Sequence, residues 1–433
     1  MTRLLRLVDG SRPAEVLVAL RAALSGDGPA VLPITPAPGR RAQFGSSHRA
    51  GGGSPADFDR LNRRGDGHGG GRRVARERDR VPLEVPRAVA LVIETSGSTE
   101  APKRVALSTD ALLASAAASA AALGGAGQWL LALPAHYIAG AQVLVRSIAA
   151  GTDPLILPPG GFDPIVFGEH SARMTGERTF TSLVPVQLSR VLDAAVDDAR
   201  LLAALQHFDR ILVGGQAVPP ALLERAEALD IVVTRTYGSS ETAGGCVYDG
   251  VPIGNTRMRV VGGLVELSGA VLAQGYVGDP ERTEEAFPEH DGRRWYRTGD
   301  LGELDAEGRL RVLGRADNVI ISGGEKVSID AVELVVRRHP GFEHAVVVAA
   351  DDARWGQAPV VVTEAVQAAS AADDPNTVPN PTAAFDSVRR FVSARLGVTA
   401  RPRELVIVDS MPMLSSGKPD RRALSALVAD RAS

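Results

Sequence analysis

Between Ala88 and Arg235 the chain alternates short apolar runs with longer stretches of helical spacing, and this alternation restricts the fold more than any other feature. Residues 88–93 form a continuous apolar run, as a strand covered on both faces requires. Residues 129–133, 155–157, 180–184, 210–213 and 231–235 read as further strands. Residues 111–123, 139–150, 164–174, 186–192 and 220–229 read as helices, the first with Ser108, Thr109 and Asp110 as candidate caps. Residues 15–24 and 30–34 read as a helix and a strand ahead of them. The pattern predicts an open, largely parallel sheet covered by helices. Right-handed crossovers then place the loops that follow the strands along one edge, where ligands bind.

After Tyr248 the texture changes. Residues 258–267 and 303–313 are short strands with turn signals at 305–308, which predicts a small β-rich subdomain. From Asp317 a second small α/β unit begins: strands at 319–321, 344–349, 360–363 and 404–408, helices at 329–338 and 385–396. The length of 433 residues agrees, since it allows about three compact units.

Composition sets the outer limits. The chain is 44% hydrophobic and 23% charged, which excludes wholesale disorder, a fibrous protein and a polytopic membrane protein. The net charge of −3 supplies no overall basic field for nucleic acid or anionic lipid. A single cysteine, Cys246, excludes an internal disulfide and a cysteine-built zinc cluster, and is expected to be a small buried thiol. Residues 1–10 lack the apolar core of a secretory signal, and the most membrane-like run, 111–133, is interrupted by Gly124, Gly125, Gly127 and Gln128. A cytoplasmic location is expected. Residues 39–80 are rich in Gly and Arg and poor in aliphatics; we expect a flexible surface loop there rather than a nucleic-acid tail.

Five polar motifs punctuate this frame. Thr95 to Lys103 reads Thr-Ser-Gly-Ser-Thr-Glu-Ala-Pro-Lys between a buried strand and a helix. Hydroxyls, backbone N–H groups and one lysine there suit a polyphosphate, although the same residues also make an ordinary turn. Tyr237-Gly238-Ser239-Ser240-Glu241-Thr242 follows the strand at 231–235 and offers a carboxylate for magnesium and a hydroxyl for phosphate. Tyr296-Arg297-Thr298-Gly299-Asp300, Gly314-Arg315-Ala316-Asp317-Asn318 and Ser415-Ser416-Gly417-Lys418 complete the set.

In this order the five motifs resemble the acyl-adenylate-forming superfamily: acyl- and aryl-CoA ligases, adenylation domains and luciferases. The resemblance spans about Ala88 to Ala423. It implies an α/β protein with a large N-terminal AMP-binding domain (1–316) of layered sheets and helices, which includes the β-rich subdomain. A small, mobile α+β C-terminal lid (317–433) completes it, with the active site between. It also implies chemistry: a carboxylate and ATP give acyl-AMP and pyrophosphate, and in the CoA-ligase members the CoA thiol then displaces AMP. The cofactors implied are ATP, Mg²⁺ and CoA as co-substrate.

By resemblance, Ser96, Gly97, Ser98, Thr99 and Lys103 hold the phosphates, and Gly214, Gly215 and Gln216 border the adenine. Tyr237 flanks the base, Ser240 meets the α-phosphate and Glu241 binds Mg²⁺. Asp300 and Arg315 hold the ribose, Asp317 is the hinge, and Lys418 bridges carboxylate and phosphate oxygens. Glu100 departs from the usual glycine, and a carboxylate beside a triphosphate is unfavourable unless it points to solvent or pairs with a basic side chain such as Arg104. Lys326 replaces a common asparagine.

The abbreviated N-terminal region and the stretch Thr236 to Gly250 resemble the o-succinylbenzoate–CoA ligases of menaquinone synthesis. This implies an aromatic substrate with two carboxylates. One is activated, and the other needs a cationic partner when buried. Arg146 is the candidate for that partner, against the plainer alternatives of a helix cap or a surface ion pair. Ser182 and Gln187 are candidate supporting donors, His136 a candidate gate, and Gly238 and Ser239 line the same side. Another aryl- or acyl-CoA ligase, or an enzyme that loads a carrier protein, remains an alternative. The partners expected are small molecules, with no nucleic acid and no membrane; a homodimer is left open.

Overall fold

The computed structural model describes residues 1–35, 81–95, 103–364, 381–414 and 418–432. The Gly/Arg stretch at 39–80, Glu100 and the phosphate-loop candidates Ser96, Gly97, Ser98 and Thr99 lie outside these residues.

The predicted single parallel sheet is two sheets. One runs in the order Gly275–Tyr276, Lys103–Ser108, Val89–Thr95, Ala30–Ile34, Thr2–Asp9, Glu84–Pro86. The other runs Val251–Pro252, Gly244–Tyr248, Val233–Ser239, Arg210–Gly214, Thr179–Leu183, Gln128–Leu131, Leu155–Ile156. The β/α alternation belongs to the second, whose last five strands are parallel. In the first, the chain does not cross over after Val89–Thr95. It returns antiparallel as Lys103–Ser108, so Lys103 opens a strand where a loop leading into a helix was expected. Val105, Ala106 and Leu107 are buried there, a short apolar run that the following alanine-rich helix masked in the sequence. Thr2–Asp9 is a second unforeseen strand.

Helices Thr109–Ala122 and Ile138–Ala150 lie between the two sheets. One core joins Leu91, Ile93 and Leu107 of the first sheet to Leu112, Ala116, Ala141 and Leu144 of the helices and Trp129, Leu131 and Leu212 of the second sheet. Each fully buried leucine, such as Leu112 or Leu144, contributes about 1.5–3 kcal/mol of transfer free energy. The first helix starts where the Ser108 hydroxyl accepts the Ala111 N–H at 3.1 Å. The second ends at Gly151, whose φ of 66° is the left-handed conformation that stops a helix. Outer helices, including Pro185–Ala195 and Ala199–Gln206, bury Leu188, Val191, Leu192, Leu201 and Leu205 on the far face of the second sheet. No described helix is long and apolar enough to cross a membrane. Cys246 is buried and its thiol pKa is pushed up to about 12 by burial, as expected of an inert core thiol.

The β-rich subdomain is a four-stranded sheet, Arg257–Val261, Leu264–Ser268, Tyr296–Leu304, Leu310–Arg315. The small C-terminal body is a sheet of Glu325–Ser328, Val319–Ser322, Gly356–Glu364 and Val346–Asp352, with Glu404–Val408 parallel to Gly356–Glu364. Helix Ile329–Val336 packs on one side through Val332 and Val336, and helix Arg421–Ala432 on the other through Leu424 and Val428.

Candidate active site

Tyr237, Gly238 and Ser239 stand inside the strand Val233–Ser239 rather than in a loop after it. The strand ends in a 3₁₀ turn, Ser240–Thr242, and Gly244–Tyr248 runs back beside it. Gly238 permits this tight return: any Cβ there would strike the Gly244 carbonyl oxygen. Ser240 and Glu241 are thereby buried at the corner.

A hydrogen-bonded chain crosses from this strand to the C-terminal body. The Tyr237 hydroxyl donates to Asp300 Oδ2 at 2.6 Å. Asp300 and Arg315 are cross-strand partners, and Arg315 Nη1 donates to Asp300 Oδ1 at 3.2 Å and to the Thr298 carbonyl at 2.8 Å. Arg315 then grips both oxygens of Asp317, at 3.1 and 3.0 Å. Burial raises the Asp300 pKa, opposed by the Tyr237 hydrogen bond and the Arg315 charge. The bond from Arg315 holds Asp317 below the ordinary carboxylate range. The Arg315 backbone N–H donates to Asp330 Oδ2 at 2.7 Å, and the amide of Asn318, one residue beyond Asp317, donates to Asp330 Oδ1 at 2.7 Å.

Lys418 arrives at this cluster from the C-terminal body. Its position follows from the bridge between Met413 and Pro419 and the bond from the Leu414 N–H to the Lys418 carbonyl at 2.8 Å. The ammonium stands against Gly215: a Cβ on that residue would lie 3.8 Å from Nζ. Burial lowers the Lys418 pKa, and the charge of Asp300 opposes the shift. Gly214 ends the strand Arg210–Gly214, and Gly215 has φ of 80°. The Gln216 Nε2 beside them is buried without a hydrogen-bond partner among the described residues.

At the corner after the strand Val233–Ser239, Glu241 is 7% exposed and accepts a hydrogen bond from the Tyr276 hydroxyl at 3.0 Å. Lys103 Nζ lies 5.6 Å from the centre of the same Tyr276 ring. Tyr276 carried no signal in the sequence, because it is 35 residues from Glu241 and only the packing of two sheets joins them. Arg104 pairs with Glu94 at 3.0 Å, so this arginine already has an acidic partner other than Glu100.

The third region lies along the helix Ile138–Ala150. Arg146 is 6% exposed and, among the described residues, is neither a helix cap nor part of a surface ion pair. Its guanidinium sits 4.8 Å from the centre of the Trp129 ring, one Nη is 3.5 Å from the Tyr248 hydroxyl, and Nε has no partner among the described residues. A cavity of about 460 Å³ opens beside it, walled by Ala116, Ala120, Gly125, Trp129 and Ala149. One turn earlier Gln142 is buried, its Nε2 on the Ala243 carbonyl at 2.6 Å and its Oε1 without a partner among the described residues. The four-residue spacing from Gln142 to Arg146 was the available signal for this pair. His136 packs against the Gly10 backbone and the Tyr137 ring, at 4.2 Å between centroids, and burial lowers its pKa. Ser182 is buried within the strand Thr179–Leu183. Gln187 departs from the expected substrate donor: its Oε1 accepts the Val184 N–H at 3.0 Å and its Nε2 donates to the Ala132 carbonyl at 3.1 Å. Its amide is engaged at both ends in starting a helix. No group of three or more His, Cys, Asp or Glu side chains able to hold a metal ion is found among the described residues.

Comparison with known proteins gives a consistent result. The AMP-binding enzyme family matches residues 43–301, and the AMP-binding enzyme C-terminal domain matches residues 331–418. A protein of Mycobacterium tuberculosis strain H37Rv named probable 2-succinylbenzoate–CoA ligase is 42% identical over 352 residues, 80% of this chain and 86% of its own. The 2-succinylbenzoate–CoA ligase of Geobacillus kaustophilus is 32% identical over 364 residues, 78% of this chain and 69% of its own. The solved o-succinylbenzoate CoA synthetase of Bacillus subtilis, in complex with its acyl-adenylate intermediate, superimposes with a TM-score of 0.64 at 26% identity, covering 78% of this chain and 69% of that one.

Proposed function

The chain belongs to the AMP-binding enzyme family, and we propose that it is an ATP-dependent acid–CoA ligase whose acid is o-succinylbenzoate, acting in menaquinone synthesis. The observation that carries this reading is the position of Lys418. A lysine of the small body stands against Gly215 of the large one, within the electrostatic reach of Asp300.

Asp300, with Tyr237 and Arg315 around it, accepts the ribose hydroxyls of ATP. Gln216 offers its buried amide to the adenine edge, which supplies the partner it lacks in the protein. Attack of the acid's carboxylate on the α-phosphorus forms the acyl–phosphate bond and breaks the bond to pyrophosphate. Two anions meet in that step, and Lys418 stabilises the charge between them. A lone buried Glu241 fits Mg²⁺, which takes one or two protein carboxylates and completes its shell with phosphate oxygens and water. When bound, the ion neutralises phosphate charge. Tyr276 holds the Glu241 carboxylate in place for it. Asp317 is the hinge between the domain 1–316 and the domain 317–433, and the CoA thiol displaces AMP in the second step.

Arg146 selects the acid. Its buried charge has no carboxylate partner among the described residues, and the ring carboxylate of o-succinylbenzoate provides one. The test is AMP release with CoA across o-succinylbenzoate, benzoate and medium-chain acids. Turnover with o-succinylbenzoate alone is expected. No CoA-dependent turnover with it would overturn the assignment of the acid. Formation of the acyl-adenylate without a thioester in the presence of CoA would point to a carrier protein as acceptor.

A further inference from the structure

Four non-glycine residues hold a positive φ among the described residues: Asp230, Ala243, Asp249 and Asp291. The three aspartates are exposed, and a short polar side chain eases the left-handed conformation. Ala243 is different. It has φ of 49° and ψ of 39°, it is fully buried, and it directly follows the turn Ser240–Thr242 that carries Glu241. An alanine has no polar side chain to offset the strain, so this conformation persists only where neighbouring groups impose it.

Two side chains impose it. The Ala243 carbonyl accepts the Ser115 hydroxyl at 2.9 Å and Gln142 Nε2 at 2.6 Å. Ser115 belongs to the helix Thr109–Ala122 and Gln142 to the helix Ile138–Ala150, so the carbonyl is held from both helices that lie between the sheets. Each donor is 1% exposed. Burying a serine and a glutamine in an apolar layer costs free energy unless every polar atom is paired, and Gln142 Oε1 has no partner among the described residues. Polar groups kept at that cost mark a position that must not move. The rest of the corner is fastened too. The Glu241 carbonyl accepts the Ala273 N–H at 2.8 Å, the Thr242 hydroxyl donates to the Gly244 carbonyl at 2.8 Å, and the Tyr276 hydroxyl holds the Glu241 carboxylate. Ala243 is the residue of this corner that would leave its conformation on release, because it is the non-glycine in the left-handed region.

We propose that Ser115 and Gln142 are positioning residues for the metal–nucleotide site: by clamping the Ala243 carbonyl they hold the left-handed turn that fixes the direction of the Glu241 carboxylate. The proposal rests on the reading of Glu241 as the Mg²⁺ ligand of an adenylating enzyme and deepens it. Released, an alanine returns to the right-handed or extended backbone regions, and the peptide after Thr242 swings with it. The Glu241 carboxylate, two residues earlier, then loses its fixed direction. Mg²⁺ demands near-ideal geometry from its few protein carboxylates, so its binding depends on that direction more than the binding of metal-free ATP does. A glycine at this position needs no clamp, because it adopts positive φ about as readily as negative.

Calorimetry of ATP binding in the absence of any acid tests this without turnover, once with Mg²⁺ and once with a chelator. Wild type is expected to bind ATP more tightly when Mg²⁺ is present. Ser115→Ala/Gln142→Leu, which removes both hydrogen bonds, should cut that Mg²⁺-dependent gain about tenfold and bind metal-free ATP as wild type does. Ser115→Ala alone deletes one buried oxygen, leaves the packing in place and should cut the gain about threefold. Adding Ala243→Gly to either variant should restore the gain although the clamp is missing, a rescue that a general packing role would not produce. An unchanged gain, an equal loss with and without Mg²⁺, or a loss that Ala243→Gly does not restore overturns the clamp. Wild-type ATP binding that ignores Mg²⁺ overturns instead the metal role of Glu241 from which the clamp follows.

Discussion

The ribose side and the acyl side of the candidate site are built in opposite ways. Around Asp300 the arginine and both carboxylates are paired within the protein: Tyr237 and Arg315 meet Asp300, and Arg315 meets Asp317. Along the proposed acyl wall, polar atoms are buried without a partner among the described residues: Gln142 Oε1 and Arg146 Nε. Buried polar groups in folded proteins are rarely left so, and each costs about 1–3 kcal/mol when unsatisfied. The first region is held in shape by the protein itself. The second stores a cost that, on the proposed role, the second carboxylate of o-succinylbenzoate repays.

The comparison can be broken in four places. The largest effect belongs to Lys418→Ala, which should slow acid-dependent pyrophosphate exchange about 10²–10³-fold while largely sparing thioester formation from supplied acyl-adenylate. Equal loss of both half-reactions would remove the lysine from the first step. Next is Arg146→Gln. A charge-assisted hydrogen bond is worth about 1.5–3 kcal/mol, so KM for o-succinylbenzoate should rise about 10–150-fold with KM for ATP unchanged. 4-Oxo-4-phenylbutanoate, which lacks the ring carboxylate, should show no such change, and a parallel loss with that acid would place Arg146 in general packing.

The third prediction concerns pH. Burial raises the Asp300 pKa, and on the proposed role its charged form is the one that accepts ribose hydroxyls. As pH falls, kcat/KM for ATP should decline at a pH above the ordinary carboxylate range. Arg315→Gln removes the opposing cation and should move that decline upward by about one pH unit; a downward shift would contradict the arrangement. The smallest effect is Tyr237→Phe, which deletes one hydrogen bond of about 0.5–1.5 kcal/mol and should weaken ATP binding by a few-fold, measured by titration.

Much of the site was legible because its residues sit in short local motifs at strand ends. Asp300, Arg315 and Asp317 could be named from two such motifs, and Lys418 from a third. What each touches was not legible. Tyr237 was expected in a loop, yet it stands in a strand, because the tight return at Gly238 extends pairing past the apolar run. Gln187 was expected to serve a substrate and instead starts a helix, since a Gln at the third helical position reaches its own N-terminus. Tyr276, Trp129 and Tyr248 could not be found at all, being brought to Glu241 and Arg146 only by the meeting of elements distant in the chain.

By itself the sequence determined the β/α alternation, the separate C-terminal unit, the family and the chemical types in the site. Periodicity and local motifs are short-range properties and survive in one dimension. The tertiary structure decided that the strands divide between two sheets, that Arg146 is buried beside Trp129 without an acid, and that Lys418 lies against Gly215. Those facts depend on which distant surfaces exclude water together, and no local pattern encodes that choice.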